Sequence, residues 1–139
     1  MNVKYKHKWD PNTGLSICTI EYKGFKFYGY AQCSPEDEPY KSEMTGGNIS
    51  TWRAEIALMK HIKRCEIEPR IQAYYHLAGT MHHSKKHNPD SYEAKRLFQE
   101  YKNAQDDLDE IIYEIKDTEN LLKNYIDQKD KANKARNKQ

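Results

Sequence analysis

After Pro89 the chain carries no further glycine or proline, and a charged stretch of that length without a breaker reads as one long helix. Asn88 is suited to cap it, and Pro89 fits its first position. Asp90 and Glu93 place negative charge at the positive end of the helix dipole. Tyr101, Ala104, Leu108, Ile111, Ile115, Leu122 and Tyr125 then recur at alternating spacings of three and four, with Thr118 at the one weak position. A helix over residues 89–129 would be roughly 60 Å long at ~1.5 Å per residue. The residues before it make a body only about 25–30 Å across if globular. The helix must project or fold back, and its apolar stripe needs a partner, so the chain is expected to work as an oligomer.

Ahead of this arm the periodicity is different. Val3, Tyr5, His7 and Trp9 alternate with Lys4, Lys6 and Lys8, the period of a strand with one wet face. A turn at residues 10–14, a strand at 15–22, a tight hairpin at Lys23-Gly24 and a returning strand at 25–33 complete an antiparallel meander. Gly29 and Ala31 share a face with Phe25, Phe27 and Cys33, and such small residues predict that something packs close to that strand. Residues 34–47 read as a polar loop ending in Thr45-Gly46-Gly47. A helix is expected over 48–65, with Ile49, Trp52, Ile56, Met59 and Ile62 inward. Glu68-Pro69 should break it, and a second helix carries Ile71, Tyr74, Tyr75, Ala78 and Met81. The fold class is therefore α+β: a small antiparallel meander packed on a helix at 1–68, then a helical hairpin or arm at 69–139 whose long helix oligomerises.

Composition limits the function. Hydrophobic residues make up 37% and charged residues 32%, and the mean hydropathy is −1.10, which suits a small core with large solvated helical faces rather than a deep enclosed enzyme cavity. The net charge of +2 is too small to argue for nucleic acid by itself. It is unevenly spread: Asp106 to Glu119 is acidic, whereas residues 129–138 are basic and either complement the helix dipole or form a polyanion-binding tail. Three cysteines, Cys18, Cys33 and Cys65, without a close pair point to a reducing compartment. With no apolar run long enough for a membrane span, the expected location is the cytoplasm, or the cytoplasm of a host.

Several constellations invite chemistry. His76, His82, His83 and His87 cluster in sequence, but no Cys or Glu stands at ligand spacing nearby, so neither a metal nor another cofactor is expected. Lys85, Lys86 and Arg96 surround the start of the long helix, where free N–H groups and ammonium groups together favour an anion. Tyr74, Tyr75 and Tyr92 offer flat walls for a base. Cys33 has nothing in sequence to lower its pKa and reads as small apolar filler. Arg53, beside glycine-rich backbone, is either solvated or aimed at a phosphate. No nucleophile–base signature or phosphate loop occurs, so no catalytic residue is expected.

The order of Gly29-x-Ala31-x-Cys33, Pro35-Glu36-Asp37, Thr45-Gly46, Arg53-Ala54 and Asn88-Pro89-x-Ser91-Tyr92-Glu93 resembles the small phage Thoeris anti-defence sponge proteins. The resemblance covers most of the chain, although each motif is short. It implies a small sheet with two long helices that assemble as a dimer or a higher oligomer such as a hexamer. It also implies non-catalytic sequestration of a cyclic ADP-ribose isomer, in some relatives together with a cyclic oligonucleotide at a separate site. Asn88 matches a ligand-contacting asparagine and Arg53 an arginine of the oligonucleotide site. On that basis Asn88→Ala should weaken the ADP-ribose isomer more than Arg53→Ala, with the order reversed for a cyclic oligonucleotide. The chain departs from the family in Ser50-Thr51-Trp52, where a small residue is expected two places after the isoleucine. It also lacks an arginine in the middle of the long helix, where Lys102 and Gln105 are the nearest polar candidates. The candidate ligand residues are thus Asn88, Arg53, Lys85, Tyr92, Arg96 and Tyr74. The alternative is a helical scaffold or inhibitor acting on another protein, and nucleic-acid binding through Lys4, Lys6, Lys8 and the basic tail is the least favoured reading.

Overall fold

Two turns set the register of the sheet. In the computed structural model, which describes residues 2–33, 41–82 and 88–138, the Asp10 carbonyl accepts the Gly14 N–H at 2.8 Å. Gly14 holds a φ of 73°, which glycine adopts without a Cβ penalty. At the second turn Lys23 (φ 48°) and Gly24 (φ 81°) are both left-handed, the backbone of a type I′ hairpin whose twist matches its strands. Strands β1 (Val3–Asp10), β2 (Leu15–Tyr22) and β3 (Phe25–Gln32) pair antiparallel in that order, with Asp10 opposite Leu15 and Tyr22 opposite Phe25. Helix α1 (Glu43–Ile62), a π-helical segment (Lys63–Ile67), α2 (Glu68–His82) and α3 (Tyr92–Asn137) follow. This is the expected α+β arrangement.

The chain forms two compact units, one of Met1–Met59 with Ile115–Gln139 and one of Lys60–Glu114. This grouping differs from a boundary after residue 68, because α3 contributes its first half to one unit and its second half to the other.

In the first unit one face of the sheet is sealed by α1. Ser16, Cys18, Ile20 and Ala31 are buried there, together with Ser50, Ala54 and Leu58 of the helix. The small residues of β3 have the consequence read from sequence: a Cβ at Gly29 would fall on the Ser50 carbonyl oxygen and within 2.5 Å of the Ala54 nitrogen. Ser16 and Ser50 hydroxyls meet at 3.1 Å, so these polar side chains are satisfied inside the core. The expected inward set was too narrow. Ile56 and Leu58 are buried, as is Ile62 of the second unit, but it is Ser50 and Ala54 that lie against Gly29 of the sheet, while Trp52 packs edge-on against Tyr125 of α3 (5.0 Å, 83°). Asn48 also donates to the Tyr125 hydroxyl at 3.2 Å. Helix α1 is covered on two sides.

Helix α1 also begins earlier than residue 48 and runs through Thr45-Gly46-Gly47. Ser42 caps it, its hydroxyl accepting the Thr45 N–H at 3.3 Å. Gly46 is there for contact: a Cβ would sit 3.0 Å from the Ser16 Cβ and 3.3 Å from the Trp9 ring.

In the second unit Pro69 does not break the helix. The Glu68 N–H bonds back to the Lys63 carbonyl, five residues earlier, and the extra residue in that wide turn relieves the clash of a proline ring with the carbonyl four residues behind it. Helix α3 starts at Tyr92, three residues after Pro89, and continues beyond residue 129 to Asn137. Its cap is Ser91, whose hydroxyl accepts the Ala94 N–H at 3.2 Å. Asn88 instead closes the preceding turn by accepting the Asp90 N–H at 3.0 Å, an Asx turn competing with the N-cap role. Arg70 pairs with Asp107 at 3.0 Å.

The stripe along α3 is covered within the chain. Ala104, Ile111 and Ile115 are buried, and Tyr101, Leu108, Thr118, Leu122 and Tyr125 are half-buried. A bare seam therefore no longer argues for an oligomer. Among the described residues no helix is long and apolar enough to cross a membrane.

Candidate functional site: a cationic cleft

Within the first unit the end of the sheet, the start of α1 and the end of α3 enclose a cleft of about 420 Å³. Its floor depends on absent side chains: a Cβ at Gly14 would meet the Cys33 Cβ at 2.8 Å, and Gly46 is confined by Ser16 and Trp9. Trp9 supplies an aromatic wall. Thr45, Ile49 and Arg53 of α1 reach it at helical spacing, as do Ile126, Lys129, Asn133 and Asn137 of α3.

Charge is the distinguishing property. Lys41, Arg53, Lys129 and Lys134 line the cleft, and among the described residues Asp130 is the one carboxylate lining it. Arg53 is oriented by the sheet edge, Nη1 donating to the Tyr30 carbonyl at 2.7 Å. The Lys129 ammonium stands 5.3 Å over the Tyr125 ring, an attraction that steadies a cation without neutralising it. Lys41 Nζ donates to the Asn12 carbonyl at 3.3 Å. These contacts hold positive groups around a space of small-molecule size, with Asn133 and Asn137 beside them as neutral hydrogen-bonding side chains. Such a cleft favours an anion, and Trp9 favours one that carries a flat ring.

Of the residues singled out by sequence, Arg53 lies in this cleft. Asn88, Tyr74, Tyr92 and Arg96 belong to the second unit. Asn88 and Tyr92 are exposed, and Arg96 is paired with Glu100 one turn on at 3.1 Å. None of these four lines the groove found in that unit, which Tyr75, Ala78, Met81, Pro89, Leu97 and Phe98 make apolar. Lys85 and Lys86, with His83, His87 and the Pro35-Glu36-Asp37 motif, lie outside the described residues. Among the described residues no three His, Cys, Asp or Glu side chains converge as a metal site. Sequence reasoning missed Lys41, Trp9 and the asparagines of α3. It had noted the basic run at 129–138, where the signal was a repeat of cationic and amide residues at 126–137 on one helical face.

Comparison of the chain with known protein families, with curated proteins and with solved structures finds no match in any of the three. The chemistry of the cleft is what bears on its role.

Proposed function

We propose that this protein sequesters a small anionic nucleotide signal of the cyclic ADP-ribose type and releases it unchanged, as a phage protein that blunts a host defence. The observation that carries the reading is the cationic cleft around Arg53, Lys129 and Lys134, with Asp130 as the one carboxylate among its described lining residues and Trp9 as an indole wall. A pyrophosphate needs clustered cations and an adenine needs a flat apolar surface, and the cleft offers both. The resemblance in motif order points the same way. Binding is non-catalytic on this account: Cys33 lines the cleft, and no histidine is among the described residues lining it that could serve as its base. A preformed site of this kind reaches submicromolar affinity, about −8 to −12 kcal/mol.

On this reading the cleft around Arg53, rather than Asn88, is the main ligand site. Asn88 remains a contributor only if its exposed turn meets another copy of the chain. Self-association belongs to the proposal through the groove of the second unit, where Tyr75 is 70% and Phe98 67% exposed, because large apolar groups left in water favour a partner. The same groove supports a second reading, a scaffold or inhibitor that holds another protein there.

The test is to incubate the protein with a mixture of cyclic nucleotides that includes ADP-ribose isomers. Free ligand is removed, the protein is denatured by heat, and the released material is read by mass spectrometry. Recovery of an intact cyclic ADP-ribose isomer is the expected result. A cleaved product makes the protein an enzyme, and nothing retained rejects sequestration in favour of the protein-binding reading.

A further inference from the structure

The sheet has a second face, and its side chains fall into two rows. By register, Lys6, Thr19 and Tyr28 share one line across the three strands, as do Lys8, Ile17 and Tyr30, and Lys4, Glu21 and Lys26. Residues directly opposite in antiparallel pairs project to the same side, so the lysines of β1 and the tyrosines of β3 point away from the face sealed by α1. Lys4, Lys6 and Lys8 are exposed, and Tyr28 and Tyr30 are 48% and 52% exposed. The two tyrosine rings lie near parallel, 6.3 Å apart at 19°. With one strand between them, the two rows run side by side about 10 Å apart. Of the carboxylates on this face, Glu21 is held by Lys26 at 3.8 Å. Asp10 sits at the far end, accepting the Asn12 N–H.

We infer that this face binds single-stranded nucleic acid, with bases over Tyr28 and Tyr30 and phosphates along Lys4, Lys6 and Lys8. Lysines guarding an edge strand against aggregation require no neighbouring aromatics. Paired rings exposed on the same sheet face do not serve that purpose. Aromatic rings on a sheet beside a row of cations form a platform on which an unstacked strand can lie, because every base offers a π-face and every phosphate a charge. A duplex hides its bases and gains nothing from the tyrosines. This inference is independent of the cleft.

The test is fluorescence anisotropy of a labelled oligothymidylate on the order of ten nucleotides with the full chain. Binding is expected at low salt, with a logarithmic salt slope near −2 for about three phosphate contacts. Replacing both rings, Tyr28→Ala with Tyr30→Ala, should weaken binding by about tenfold or more and leave the slope unchanged. Tyr28→Phe with Tyr30→Phe should retain it, which separates lost stacking from lost folding. Lys6→Gln with Lys8→Gln should reduce the slope by about 1.4. The inference is overturned by any of four results: no binding at low salt, equal affinity for a duplex of the same length, undiminished binding after both tyrosines become alanine, or loss of binding on changing Lys134 and Lys138 instead.

Discussion

The two compact units solve the burial problem in opposite ways. In the first, α1 is pressed between the sheet and the second half of α3, so closely that Ser16, Gly29, Ser50 and Ala54 must stay small. What it leaves open is polar and positively charged, the cleft of Lys41, Arg53, Lys129 and Lys134. In the second, Ala104 and Ile111 are buried, yet Tyr75 and Phe98 remain in water along an apolar groove, and Leu77 and Tyr92 are exposed elsewhere on the unit. An open cationic cleft on a rigid frame is suited to a small anion. An open apolar groove between helices is suited to another polypeptide surface. On the proposed function, ligand chemistry belongs to the first unit and association to the second.

The strongest way to break that contrast is at the stripe of α3. Ile111→Lys places a charge at a buried position and should cost about 4 kcal/mol or more, unfolding its unit rather than dissociating an intact protomer. Phe98→Lys, at an exposed position of the groove, should leave the circular dichroism unchanged and reduce self-association in light scattering. If Ile111→Lys stays folded, the covered stripe is refuted. Next in size is Gly29→Ala, expected to cost about 3 kcal/mol in urea unfolding, because the colliding atoms at Ser50 and Ala54 are backbone. Gly79 is its counterpart in the second unit, with nothing within 4 Å of a built Cβ. Gly79→Ala in the interior of α2 should stabilise by about 1 kcal/mol.

The smallest effect concerns acid. The Asn12 N–H, with help from the Thr13 hydroxyl, holds the Asp10 carboxyl below the usual carboxylate range. A lowered native pKa contributes stability that is present above the unfolded value of about 3.9 and is lost as pH falls through the lower folded value. Asp10→Asn should therefore flatten the acid limb of the stability curve slightly. An identical limb in the variant would remove this turn from the account.

How far the sequence could be read follows from where the information sits. The meander was legible because alternation, the Asp10–Gly14 turn and the Lys23-Gly24 hairpin are local signals, and the strands end within one residue of where those signals place them. The helix boundaries were not. Thr45-Gly46-Gly47 resembles a loop until Ser16 and Trp9 demand small residues there, and Pro69 resembles a break until a π turn accommodates it. Asn88 and Ser91 are both good caps, and only the backbone decides that Asn88 serves the turn. At the site, Arg53 was visible through its glycine-rich surroundings. Lys129 and Lys134 read first as a solvated helix end, since a cation's role depends on the surface opposite it.

The central claim is that the cleft of the first unit holds the nucleotide. Isothermal titration of a cyclic ADP-ribose isomer into the wild-type protein, into Arg53→Ala with Lys129→Ala, and into Asn88→Ala tests it most directly. The account predicts submicromolar wild-type affinity, a loss of about 100-fold in the cleft variant at about 1–2 kcal/mol per charged contact, and a smaller loss for Asn88→Ala. Undiminished binding by the cleft variant, with binding abolished by Asn88→Ala alone, would contradict it.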